Sequence, residues 1–173
     1  AKKFAPIFNS VAQKKPLSAK NVEILETELF AAKSPNIAIA YILPRGIGPT
    51  AWTSDVKKAT HIRRRFMLLG TTLDAMRVWD IRRAVEALNS NQEIQNLPIE
   101  LHGTGEMGVN ALYAALYSPA VKKVQLGELP LSHAIGPDYL NVLMGLDIPE
   151  TVAMVAEKSE VSLSDTDVAL WRY

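Results

Sequence analysis

The sequence predicts an α/β domain with a mostly parallel sheet covered by helices on both faces. Three observations predict it. Short apolar runs alternate with segments of helical period, and a glycine-rich turn, Gly103-Thr104-Gly105-Glu106-Met107-Gly108, joins one such run directly to a helix. The chain of 173 residues is also long enough for one well-buried domain and short for two.

Composition narrows the partners. Hydrophobic residues make up 48% and charged residues 21%, with a net charge of +1 that gives no general attraction to nucleic acid. There is no cysteine, so disulfides, thiol nucleophiles and thiolate metal sites are excluded. No run approaches the roughly 20 apolar residues of a membrane span.

In chain order, residues 1–20 form a basic segment with Lys2, Lys3, Lys14, Lys15 and Lys20 around Phe4, Ile7, Phe8 and Val11. A short amphipathic helix ending near Pro16 is expected, its lysines a solvated face; residues 21–173 follow as a single domain. Val22–Phe30 mixes strand alternation with helix formers and is left open. Ile37–Leu43, nearly all apolar between Ser34-Pro35-Asn36 and Pro44-Arg45-Gly46, reads as a strand covered on both faces. In its exit loop Arg45 is a candidate ligand contact, against the simpler reading of a turn that needs glycine torsions.

A long helix is expected over 61–88, with Ile62, Phe66, Leu69, Leu73 and Met76 on one stripe and Val78, Ile81, Val85 and Leu88 on another. The stripe shifts near Gly70 or Trp79, so the segment is expected either to bend or to be covered on more than one side, and Asp74 with Arg77, and Asp80 with Arg83, are spaced for pairs. Arg63-Arg64-Arg65 has no interleaved aromatic and reads as a solvated surface rather than a phosphate site. Strands are expected at 98–102, 121–127 and 160–164, parallel to 37–43. Helices are expected at 108–117, Leu140–Leu146 and Thr151–Lys158, with a short last one reaching Tyr173.

Strand, glycine turn and helix place backbone N–H groups at the carboxyl end of a strand, where they can face an anion or oxyanion. Gly103, Thr104, Gly105 and Glu106 are therefore the candidate binding residues. Spelled G-x-G-x-x-G, the turn fits a dinucleotide fingerprint, with Glu128 near the end of the next strand as the ribose-binding acid. A structural reading competes: Gly105 and Gly108 permit a tight turn and close helix–strand packing. Ser132, His133, Glu106 and Asp138 are nucleophile, base and acid candidates that a loop can bring to the same end. The simpler role for His133 is to cap backbone groups of its own loop. His102 and Glu106 lack a third ligand at a recognised spacing, so no metal is expected, and no cofactor is assigned.

Several of these segments resemble the α/β-hydrolase superfamily, and within it bacterial acetyl xylan esterase-like proteins. The likeness runs from Ile37–Leu43 with Pro44-Arg45-Gly46-Ile47-Gly48, through Met76-Arg77-Val78-Trp79-Asp80-Ile81-Arg82-Arg83-Ala84, to the Gly103 turn and Leu112-Tyr113-Ala114-Ala115-Leu116. It implies a truncated three-layer hydrolase-like sandwich, the C-terminal portion of a longer secreted or periplasmic esterase-like chain, with a carbohydrate or small acyl ester as ligand. In the family elbow, G-x-S-x-G, Gly105 occupies the position of the nucleophilic Ser, and Asp165 that of the triad acid. No His follows Asp165, so the resemblance implies an accessory or binding domain without the standard triad. An esterase using Ser132 and His133, and a dinucleotide-binding domain, are the alternatives.

Overall fold

A computed structural model of the chain describes residues 38–171, and the expectations for 1–20 and for Val22–Phe30 lie outside them. The chain divides into two compact units, Ala1–Trp52 and Thr53–Tyr173. In the first, residues 38–44 belong to no helix or strand, so the strand expected at Ile37–Leu43 is not formed over its described part. The run has the length and flanking residues of a strand, but a strand also needs a neighbouring one to accept and donate its backbone hydrogen bonds. The loop after it is a glycine turn: Gly46 has φ +75° and Gly48 φ +52°, and the Thr50 hydroxyl donates to the Pro44 carbonyl at 2.7 Å.

The second unit holds the sheet. Its elements are α1 (Val56–Leu68), α2 (Leu73–Asn89), β1 (Ile99–Thr104), α3 (Gly105–Leu116), β2 (Val121–Gly127), α4 (Ile148–Ala156) and β3 (Glu160–Ser164). The single helix expected over 61–88 is two. Gly70 at φ +74° ends α1, and the Thr72 hydroxyl caps α2 by accepting from Ala75 N at 3.0 Å, so the stripe shift marks a break. Around α4 the expected helix at Leu140–Leu146 shrinks to a 3-10 turn at Val142–Met144, and another such turn, Val168–Leu170, replaces the last helix.

All three strands are parallel, in the order β1-β2-β3. The register gives the sheet two unlike faces. Leu101, Val124 and Val161 stand in one row and Gly103, Leu126 and Leu163 in the next, whereas Glu100, Lys123 and Glu160, and His102, Gln125 and Ser162, form the intervening rows. Side chains alternate across a strand, so the first set shares one face and the second the other. The apolar face is covered by α3, packed on β1 and β2, and by α4, packed on β3; Thr151 of α4 bonds Tyr113 of α3 across them. Glu100, His102, Glu160 and Ser162 stay exposed. Helices on both faces were expected; in this unit one face is open and polar. The cause lies in the strands: β1 and β3 alternate apolar with polar, and a polar row gains nothing from a helix laid over it.

Helix α2 packs chiefly on α3, which is thereby enclosed between α2 and the sheet. Every residue from Gly108 to Leu116 is buried, and all but Asn110 and the Tyr113 hydroxyl are apolar, as a helix enclosed on both sides requires. Val109, Leu112, Val121, Val124, Leu126, Ile148 and Val155 form the centre of the core.

Candidate functional site

Strand β1 runs straight into α3, with Thr104 in extended backbone as the N-cap residue. Gly103 and Gly108 hold the two elements together. A Cβ on Gly103 would lie 2.9 Å from the Gly108 Cα, and a Cβ on Gly108 would lie 2.9 Å from Leu129 Cδ2 and 3.1 Å from the Gly103 carbonyl oxygen. Gly105 serves differently. Its φ is +55°, a left-handed conformation at the first helical position, and nothing lies within 4 Å of where a side chain would begin. The first amides of α3 thus lie beside an uncrowded position at the carboxyl end of the sheet, as the sequence predicts.

Glu106 projects from the first turn of α3, and its Oε1 lies 2.8 Å from where a Cβ on Gly136 would be. The loop 130–147 thereby meets the turn. Arg63 of α1 pairs with Asp138 of this loop, and the Asp138 amide donates to Asp74 Oδ2 at 3.2 Å. Asp74 is a buried hub: Arg77 donates to it at 2.9 Å and Asn110 Nδ2 at 3.4 Å, while Asn110 Oδ1 accepts from the Tyr139 hydroxyl. The expected Asp74–Arg77 pair is therefore present, and it carries loop and helix contacts that spacing alone did not reveal. Arg83 pairs with Glu86 and stacks on Trp79.

His133 is 6% exposed and encircled. Its Nδ1 lies 3.0 Å from the Pro137 carbonyl oxygen, which only accepts, so that nitrogen carries a proton. In the neutral ring Nε2 then accepts from the Tyr113 hydroxyl at 3.0 Å, and Tyr113 in turn lies 3.1 Å from the Thr151 hydroxyl. Tyr139 closes the cluster, its ring centroid 4.6 Å from that of Tyr113 and 5.2 Å from that of His133. Burial pushes the Tyr113 and Tyr139 phenols above their ordinary range, Tyr139 further still beside the Asp74 charge, so both remain neutral hydroxyls.

Ser132 turns elsewhere. Its hydroxyl donates to Asp147 Oδ2 at 2.6 Å, and the His133 amide donates to Asp147 Oδ1 at 2.7 Å. Adjacent in sequence, the Ser132 hydroxyl and the His133 ring are bonded to different partners and not to each other. Burial of Asp147 disfavours its charge, but bonds from Ser132, His133 and Ile148 outweigh this and hold the carboxyl below its ordinary value. Asp165 follows β3 with φ +50° and is exposed, bonded to neither Ser132 nor His133. Arg45 belongs to the Ala1–Trp52 unit.

Glu128 closes β2 at φ +51°, exposed, with its amide donating to the Ser164 carbonyl at 3.0 Å. His102 pairs with Glu100 at 3.1 Å on the open sheet face rather than with Glu106. Among the described residues no three of His, Asp and Glu group as metal ligands would. Thus the structure brings Gly103, Thr104, Gly105 and Glu106 to one strand end with the loop that carries Ser132 and His133 beside them, while the Ser132 hydroxyl is held by Asp147 and Asp165, after β3, bonds neither. Sequence reasoning missed Asn110, Tyr113 and Thr151, whose advance signal was polar groups on otherwise apolar helices, and Tyr139 of the loop. No family model, curated protein or solved structure matches the chain.

Proposed function

We propose that this chain is an α/β-hydrolase-like domain, related to carbohydrate (acetyl xylan) esterases, that binds its ligand without hydrolysing it, as an accessory or binding domain. The observation carrying this reading is Gly105: the strand–turn–helix junction keeps its left-handed torsion and its helix-start amides, yet the nucleophile position has no side chain. A base is equally unavailable, because both ring nitrogens of His133 are engaged, one with a carbonyl and the other with Tyr113. Acyl transfer needs nucleophile, base and oxyanion donors together, and donors alone leave only residual catalysis.

The test is hydrolysis of 4-nitrophenyl acetate and acetylated xylan, with fluorophosphonate labelling and a thermal-shift titration of acetylated xylo-oligosaccharides. The expected result is no labelling and no turnover, with a raised melting temperature on ligand addition. Gly105→Ser does not restore turnover, since both ring nitrogens of His133 are already engaged. Turnover abolished by Ser132→Ala or His133→Ala would overturn the reading in favour of an unorthodox esterase.

A second reading has its own support. Gly103 and Gly108 in contact, Gly105 open at the helix start, and Glu128 at the end of the adjacent parallel strand are the spacing and order of a dinucleotide site. Saturable thermal stabilisation by NAD, abolished by Glu128→Ala and absent with the oligosaccharides, would favour it.

A further inference from the structure

Helix α1 has five cations, Lys57, Lys58, Arg63, Arg64 and Arg65, no acidic residue, and no buried residue. Ala59, Ile62, Arg63 and Phe66 are half-buried on one side, with Arg63 paired to Asp138. At 3.6 residues per turn, Lys57, His61, Arg64 and Leu68 align on one outward ridge, and Lys58, Arg65 and Leu69 on the next. All seven are exposed. The ridges end in two bare leucines, Leu68 at 86% and Leu69 at 81% exposure, beside Gly70, around whose missing Cβ nothing lies within 4 Å.

We infer that α1 is a peripheral docking surface for an anionic lipid bilayer, with Lys57, Lys58, Arg64 and Arg65 against the headgroups and Leu68 and Leu69 inserted at the acyl boundary. Charge complementarity selects an anionic surface. The leucines select a fluid apolar one: they are exposed at the helix end, where a bilayer deforms around them and a phosphate backbone would leave them in water. A second copy is disfavoured, because like ridges would face each other with the same charge. No described helix is long and apolar enough to cross a membrane, so the contact lies on the bilayer surface.

The full chain is tested by flotation with phosphatidylcholine vesicles with and without about one-third phosphatidylserine. Because the chain has no cysteine, Leu68→Cys takes a single nitrobenzoxadiazole label, with Ser162→Cys on the open sheet face as control. Binding is expected only with phosphatidylserine, weakened about a hundredfold by Arg64→Glu with Arg65→Glu, and about tenfold by Leu68→Ser with Leu69→Ser. A blue shift is expected at position 68 and not at 162. These side chains are exposed, and unchanged circular dichroism verifies that the variants fold. Overturning results are absence of binding at low salt, or binding to poly-glutamate or duplex DNA as strong as to vesicles with no shift at position 68. So is concentration-dependent self-association removed by the leucine changes.

Discussion

Three glycines within six residues do two different jobs, and substitution separates them. At Gly105 a methyl group meets open space, so Gly105→Ala costs only the left-handed torsion, about 1 kcal/mol. At Gly103 the added atom meets backbone of the next turn, which cannot swing aside, so Gly103→Ala costs more, about 2–3 kcal/mol. Gly108→Ala falls between them, since its first obstacle is the movable Leu129 side chain. Urea denaturation of the three variants gives this order, and equal losses would show that torsion alone governs the turn. The turn was legible in the sequence because glycine spacing reports backbone demands directly. His133 was legible only as a residue type: its ring is held by the Pro137 carbonyl of its own loop and by Tyr113 of α3, and Thr151 of α4 reaches it only through Tyr113.

At the level of the element, α4 depends on a cap assembled from beyond its own start. Asp147 and Glu150 form a capping box, and Asp147 also receives Ser132 and the His133 amide, tying the loop to the helix. The Asp147 pKa is lowered in the folded state, so its contribution is complete above the unfolded value of about 4 and is lost as pH falls through the lower folded value. Asp147→Ala is expected to cost about 1–2 kcal/mol at pH 7, with the gap to the parent protein narrowing below about pH 4. Denaturant midpoints across pH 2.5–7, roughly the span over which a carboxylate titrates, measure it. Ser132 thus has a structural employment, its hydroxyl committed to Asp147 rather than to the His133 ring.

Across the whole molecule, protection radiates from one face of the sheet. Helix α3 is enclosed between α2 and the strands, and β2 is paired on both edges, whereas α1 buries no residue. Hydrogen exchange is expected to be slowest in α3 and β2, at the global unfolding free energy, and fastest in α1, by local opening. Equal protection of α1 and α3 would contradict this layering. A surface helix free to fray at little cost to the core suits the docking role proposed for α1, and a closed core suits the ligand binding proposed at the Gly103 turn.

The sequence by itself determined the α/β alternation, the parallel strands at 98–102, 121–127 and 160–164 to within a residue or two, and the glycine junction, because periodicity and glycine torsion are local properties. It also contained the open sheet face, in the alternation of Glu100 and His102 with Leu101 and of Ser162 with Val161 and Leu163, although the parallel topology favoured reading both faces as covered. Only the tertiary structure decided that Ala38–Leu43 would be no strand, since an apolar run becomes one only where a neighbour offers free hydrogen-bonding groups. Only tertiary structure, likewise, decided that Asp74 would gather α2, α3 and the loop, and that Ser132 and His133 would part, because a hydrogen bond between distant segments is set by packing rather than by spacing along the chain.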